Sequence, residues 1–248
     1  MNQHQAFHER IDKALHNPQL RRNFRTAMDG IRARRAEQFT DDAQLQALRE
    51  QAHAIRANSL GRQAELLEML ETKLIENGIQ VHWAESPDQA NAIIQGILDM
   101  ADARTVVKGK SMVSEETGLN DYLEQRGIEV IESDLGEYII QMAHEPPSHI
   151  VAPAIHKNRV EVAQLFHEHH PEEPYTEDID ALTGTARRVL RAKFAQADAG
   201  ISGVNFAVAE TGTLCLVETE GNGRLSTTAP RIHIAITGIE KVVEKLAD

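Results

Sequence analysis

The sequence runs to 248 residues with 26 Lys plus Arg against 38 Asp plus Glu, a formal net charge of −12 with His neutral. That balance excludes a protein held to nucleic acid by a basic surface. Hydrophobic residues make up 41% of the chain and aromatics 4%, enough aliphatic side chain for a sizeable core and too few rings for an aromatic-rich binding face.

The length predicts one large domain, or one domain with a helical arm. The single cysteine, Cys215, excludes an intrachain disulfide, and it excludes an iron–sulfur cluster held by this chain's thiolates alone, which needs four. No run approaches the roughly 20 apolar residues of a membrane-spanning helix. The polar start MNQHQAFHERIDKAL lacks the apolar centre of a signal peptide. A cytoplasmic protein is expected.

Charge divides the chain. Residues 1–62 hold 11 basic and 7 acidic residues, a net of +4, which leaves −16 on the other 186. In this stretch Phe7, Ile11 and Leu15, then Leu45, Leu48, Ala52 and Ile55, and beyond Gly61 Leu66, Leu67 and Leu70, recur at helical spacing. Pro18 is placed to open a second helix. Each helix has one narrow apolar stripe, so they are expected to pack on the body or on another subunit. The organisation read from this is a helical N-terminal arm over 1–77 and an α/β domain over 78–248.

From Ile79 the period changes. GIQVHWA reads as a short strand, SPDQANAIIQGILDMA as a helix capped by Ser86 with Pro87 in its first turn, and RTVVKGK as a buried strand. LNDYLEQRG reads as a helix ended by Gly127, IEVIES and SHIVAPA as strands, and NRVEVAQLFHEHH as a helix stopped before Pro171. A long helix from about Glu177 to Asp198 follows. Two apolar runs, Val204–Ala209 and Leu214–Val217, flank an Glu-Thr-Gly-Thr turn and signal a hairpin. RIHIAIT reads as the last buried strand and GIEKVVEKLAD as a closing helix. The fold class is therefore α/β, a mostly parallel sheet flanked by helices.

Open parallel sheets bind ligands where loops leave the carboxyl ends of their strands, and three loops qualify. In VVKGKSMVSEE, Lys108, Gly109, Lys110 and Ser111 follow a strand while Glu115 and Glu116 are placed to open a helix. Cations beside a glycine suit a phosphate or carboxylate, although solvated lysines before an acidic helix start would look the same. In AETGTL, Glu210 stands at a strand end with Thr211, Gly212 and Thr213 beyond it. Its carboxylate suits proton transfer or acyl acceptance, or simply ties down the turn. In the third loop Glu220, Gly221, Asn222, Gly223 and Arg224 combine a close backbone approach with a guanidinium able to fork a carboxylate, or form an ordinary turn.

The 12 histidines show no H-E-x-x-H spacing, so no metal site is expected. His144, His149 and His156 flank the proline-rich EPPSHIVAPAIHKNR, where one of them is a candidate acid–base group. Cys215, inside an apolar run, reads as a small buried hydrophobe.

VVKGKSMVSEE, DLGEYIIQMAHEPPSHIVAPAIHKNR, GISGVNFAVAETGTLCLVETEGNGR and RIHIAITGIEKVV, in this order, resemble the lactate-utilization (LUD) domain family, in its LutB-type subunit. The resemblance implies a fold like that of the ribose-phosphate isomerase and CoA-transferase-like superfamily. It also implies a place in a three-subunit cytoplasmic complex that oxidises L-lactate to pyruvate through iron–sulfur electron transfer. Such subunits continue into a ferredoxin-like segment with clustered cysteines, so 4Fe-4S clusters are expected in a further C-terminal segment or in partner subunits, and none on this chain alone. The residues carried by matching motifs are Lys108, Lys110, Ser111, Glu115, Glu116, Glu210, Thr211, Gly212, Thr213, Glu220, Asn222 and Arg224. The expected partners are the other lactate-utilization subunits and a small carboxylate or anionic ligand, held by Arg224 or Lys108 and oriented or deprotonated by Glu210. The alternatives are an acyl or CoA transferase or ligase of the same fold using Glu210, and a scaffold module.

Overall fold

The computed structural model describes residues 3–248. Four helices come first: α1 (Gln3–Leu15), α2 (Pro18–Gln38), α3 (Asp42–Gly61) and α4 (Gln63–Glu76). Pro18 opens α2 as predicted, behind Asn17, whose side chain accepts the Leu20 N–H. α5 (Pro87–Met100) follows, capped by Ser86. Next come β1 (Thr105–Lys108), α6 (Met112–Glu116), α7 (Leu119–Glu124), β2 (Glu129–Glu132), α8 (Leu135–Met142), α9 (Arg159–His169) and α10 (Ile179–Gln196). The chain closes with β3 (Ala199–Ser202), β4 (Phe206–Val208), β5 (Thr213–Cys215), α11 (Asn222–Thr228), β6 (Ile232–Ala235), a 3-10 turn at Ile239–Lys241 and β7 (Val242–Val243).

Contacts divide the chain into two units, one joining the residues up to Leu45 to Gly136–Ala186, the other joining Gln46–Leu135 to Arg187–Asp248. In the first, Tyr138 on α8 meets Phe166 on α9 edge to face, and its hydroxyl lies 2.9 Å from His170 Nε2. Asn158 and Glu161 form a reciprocal capping box at the start of α9.

The second unit holds a four-stranded sheet in the order β2-β1-β3-β6 with every pair parallel. One face packs on α5 and α7 through Ile94, Leu98, Leu119, Leu123, Val106, Val130, Ala199 and Ile201. Successive strand residues point to opposite faces. Gly200, between Ala199 and Ile201, therefore faces α11, against the Ser226 carbonyl. A second sheet, β5-β4-β7, packs on α4 through Leu66, Leu70, Leu74, Ala207 and Val242.

Asp198 ties the amino ends of β1 and β3 together. Its Oδ2 accepts the N–H groups of Arg104 (2.8 Å) and Thr105 (3.0 Å) and the Thr105 hydroxyl (2.9 Å). The Arg104 N–H, then the Thr105 hydroxyl and N–H, hold this carboxyl below the usual range. A depressed carboxyl contributes stability above its unfolded pKa and loses it as pH falls through the folded one. Asp198→Asn should flatten the acid limb of a stability-against-pH curve from urea melts; an unchanged acid limb would remove this role.

Three expectations fail and a fourth holds only in part. GIQVHWA forms no strand: Ile79 and Trp83 are exposed, and the Trp83 ring N–H reaches Glu71. SHIVAPA is also turn, with Ile150 and Val151 exposed and Pro153 unable to donate to a ladder. GIEKVVEKLAD is not a helix; Val242 and Val243 are both buried and pair in parallel with β4. Glu115 and Glu116 lie in α6, a five-residue helix capped by Ser111, which accepts the Ser114 N–H, and Glu115 falls in its first turn as expected. RIHIAIT supplies β6, but as a part-exposed edge strand rather than a buried one.

Candidate functional site

The carboxyl ends of the parallel strands carry the first and third predicted loops. Parallel register sets Lys108 beside Glu132 on the same face of the sheet. Lys108 is fully buried, and its Nζ lies 2.8 Å from Glu132, 3.0 Å from Glu115 and 3.0 Å from Ser114 Oγ. Burial alone would lower the ammonium pKa, but attraction from Glu132 and Glu115 outweighs it and leaves Lys108 raised and charged. Glu132 is raised by burial, against the pull of Lys108 and of Asn120, which donates to Oε1 at 2.6 Å. Lys108 is thus a structural charge enclosed by protein.

Gly109 then runs beside α11, where a Cβ would make only ordinary contact, 3.8 Å from Ser226 Oγ and 3.9 Å from Gly223 Cα. Ser133, after β2, donates to the Lys108 carbonyl and lies 3.4 Å from Ser226 Oγ. Lys110 interacts with Glu220, whose carboxyl is pushed up by desolvation and by Asp134 against the opposing pull of the Leu135 N–H and Lys110. Asn222 accepts the Ser226 hydroxyl through its carbonyl. Glu116 is exposed on α6. Loops one and three therefore meet at the strand ends, where Lys110 faces Glu220 just before α11 and Asn222 and Arg224 begin that helix, while Ser111 is turned to capping α6.

Glu210, Thr211, Gly212 and Thr213 belong elsewhere, to the β4–β5 hairpin of the second sheet. Glu210 Oε1 accepts the Leu246 N–H at 2.9 Å, and Gly212, at φ +65, packs against α4, where a Cβ would come 2.7 Å from the Lys73 carbonyl carbon. The Asn77 amide donates to the Thr211 carbonyl at 2.9 Å. These contacts bind the turn to α4 and the C-terminal residues.

An open groove of about 770 Å³ is lined by Ile79, Leu214, Leu216, Val217, Glu218, Arg224, Thr227 and His233. The Arg224 side chain is 78% exposed; its Nη2 lies 3.0 Å from Glu218 Oε1, and its own N–H donates to Glu218 Oε2 at 2.7 Å. His233 Nε2 lies 2.8 Å from Ser202 Oγ, and burial pushes the imidazole pKa down, which keeps it neutral. A cation and a neutral imidazole over an aliphatic wall suit a ligand with a carboxylate and an apolar body. Glu210 does not line this groove.

Glu132, Ser133, Ser202, Glu218 and His233 are absent from the sequence-derived set. Glu132 and Ser133 sit at the end of a predicted strand, where the strand-end rule would have found them. Ser202 and His233 meet only through pairing of β3 with β6. Among the described residues no group of three or more His, Cys, Asp or Glu is arranged to hold a metal ion, and no helix is long and apolar enough to cross a membrane. Cys215 is part-buried, and one thiol does not fit an iron–sulfur cluster.

The family model of the LUD domain matches residues 67–248. The chain is 40% identical over 246 residues to the uncharacterized electron transport protein YkgF of Escherichia coli (strain K12), covering 98% of this chain and 51% of that protein. It is 40% identical over 244 residues to lactate utilization protein B of Bacillus velezensis, and 38% identical over 244 residues to that of Bacillus subtilis (strain 168), again covering 98% of this chain and 51% of each relative. It thus spans about half the length of the curated relatives it matches. No solved structure matches it. A family match that takes in both sheets shows that the chain belongs to the LUD domain family, and along nearly its whole length it is similar to lactate utilization protein B.

Proposed function

We propose that this chain is the LUD-domain part of a lactate utilization protein B-type subunit, in a complex that oxidises L-lactate to pyruvate, and that it holds a small carboxylate or an anionic cofactor while docking partner subunits. The electron carriers of that reaction belong to other subunits or to sequence outside these residues. The names of the relatives support the substrate.

The observation that carries the binding role is Arg224: an exposed guanidinium on the wall of an open groove, held at one edge by Glu218. Glu218 meets the guanidinium through one oxygen and takes the Arg224 backbone N–H with the other, so a carboxylate ligand could fork the guanidinium bidentately in its place or beside it. His233 would then accept a hydrogen bond from, or donate one to, a hydroxyl or carbonyl beside that carboxylate, and Leu214, Leu216 and Val217 would exclude water from its apolar side.

In the intact complex, Arg224→Ala should raise the KM for L-lactate about tenfold or more, the loss expected for a charged hydrogen-bonded pair of about 1.5–3 kcal/mol. Arg224→Lys should recover only part of it, because an ammonium cannot fork. An unchanged KM in both variants, with the complex assembled, would remove the groove from lactate binding.

A further inference from the structure

The turn-rich segment between α8 and α9 sets three side chains in line. Ser148 Oγ lies 2.6 Å from His156 Nδ1, and His156 Nε2 lies 2.6 Å from Glu145 Oε2. Lys157 pairs with the other oxygen of the same carboxylate. The backbone holds the set in place: the Ser148 N–H donates to the Pro153 carbonyl at 3.0 Å, the Lys157 N–H to the Ala154 carbonyl at 2.9 Å, and the Asn23 amide to the His156 carbonyl at 3.0 Å. The His156 side chain is 15% exposed, whereas Ser148 is open to solvent. All of these residues lie in one unit.

Protonation follows from the contacts. Burial would raise the Glu145 carboxyl, but hydrogen bonds from Lys157 and His156 outweigh it and hold it below the usual range. An ionised Glu145 accepts the Nε2 proton, which leaves Nδ1 as the lone pair facing the serine hydroxyl. Neighbouring His149 is committed differently: its Nδ1 accepts the N–H groups of Val151 (3.1 Å) and Ala152 (3.2 Å). The N–H groups of His149 and Ile150, the two that follow Ser148, make no hydrogen bond within the described residues. They are available to an oxyanion.

A nucleophile, a base in hydrogen-bond reach and a carboxylate that orients the base define an acyl-transfer site by roles rather than by sequence position. Here the two ring nitrogens exchange the places they hold in serine proteases, which the near-symmetry of imidazole permits. We propose that Ser148, His156 and Glu145 form a second site, in which Ser148 accepts the acyl group of a small ester or thioester. The Oγ–C bond forms as the hydroxyl proton moves to His156 Nδ1. That proton passes to the departing alkoxide or thiolate as its bond to the acyl carbon breaks. Water deprotonated by the same imidazole then releases the acid and restores the serine. No oxidant or metal enters, and the site is independent of the groove around Arg224.

The test uses the whole chain with a fluorophosphonate probe and with p-nitrophenyl acetate. Peptide mapping should place one phosphonyl group on Ser148, and the ester should give a burst of one p-nitrophenol per chain. Ser148→Ala should abolish both, and His156→Gln and Glu145→Gln should each slow labelling about 100-fold, the usual scale of a lost base. Where the alanine variant fails to fold, Ser148→Cys serves: iodoacetamide should alkylate that position about tenfold faster than in the Ser148→Cys/His156→Gln chain. Wild-type protein left unlabelled at Ser148, or a His156→Gln chain labelled as fast as wild type, overturns the proposal.

Discussion

Replacing Lys108 by Met is expected to cost about 3–5 kcal/mol of stability, the range for removing one partner of a buried ion pair. The side chain is fully buried, and the substitution leaves Glu132, 3% exposed, without its ammonium. Glu115 is 28% exposed and is able to turn toward water; Glu132 is not. The deficit should depend on pH with a definite sign. Burial already raises the Glu132 carboxyl, and loss of Lys108 raises it further, above its value in the unfolded chain. A group raised on folding contributes stability below its unfolded pKa and loses it as pH rises through the folded one. The gap between Lys108→Met and wild type, measured by urea denaturation, should therefore narrow as pH falls from neutral and Glu132 takes up a proton, and widen as pH rises through its raised pKa. Lys108→Met/Glu132→Leu should recover much of the loss at neutral pH, since a packed apolar pair needs no desolvation of charge. A deficit below about 1 kcal/mol, the scale of a surface pair, would show that the cluster is hydrated rather than enclosed.

Gly200→Ala should be the most damaging change of a single methyl group. A Cβ at this position would lie 1.8 Å from the Ser226 carbonyl oxygen, 2.9 Å from the Ser226 carbonyl carbon and 3.3 Å from Pro230 Cγ. Two of these are backbone atoms of α11 and cannot swing aside. Overpacking of a core costs about 1–3 kcal/mol, and a clash with backbone should reach about 3 kcal/mol or more, since α11 must lift off β3. Arg224 rides on α11, so the same variant should lose the KM effect of Arg224→Ala, being impaired already. Gly96→Ala in α5 is the control: nothing lies within 4 Å of its Cβ position, and an alanine in a helix interior should add about 0.5–1 kcal/mol. Equal midpoints for Gly200→Ala and wild type in chemical denaturation would mean that α11 is not seated on β3 as described.

Local signals carried most of the helices and the central strands. Asn17-Pro18, Ser86-Pro87 and Asn158 with Glu161 act within one turn of backbone, so a cap is legible wherever its residues stand. The Val106–Lys108 run and the Val130–Glu132 run read as strands because both are buried and β-branched. The Glu-Thr-Gly-Thr turn between two apolar runs predicted β4 and β5 in their observed pairing. Where a strand exists only because a partner edge accepts it, local reading failed. Val242-Val243 has a helix-like neighbourhood and becomes β7 by pairing with β4, while GIQVHWA alternates well and finds no edge.

The candidate site divides the same way. Hydrophobic period, cap residues and glycine-bearing turns were sufficient, from the sequence by itself, to predict an α/β chain and the loops around Lys110 and Arg224, while the motifs from VVKGKSMVSEE to RIHIAITGIEKVV carried the family resemblance. Only tertiary structure enclosed Lys108 with Glu132 and placed Ser202 against His233. It also assigned Glu210 to a hairpin bound to α4 and folded EPPSHIVAPAIHK so that Ser148, His156 and Glu145 meet. The reason is physical: caps and turns are contacts between residues a few positions apart, whereas register between parallel strands joins residues separated by a whole crossover, and the packing that decides it is not written in either segment alone.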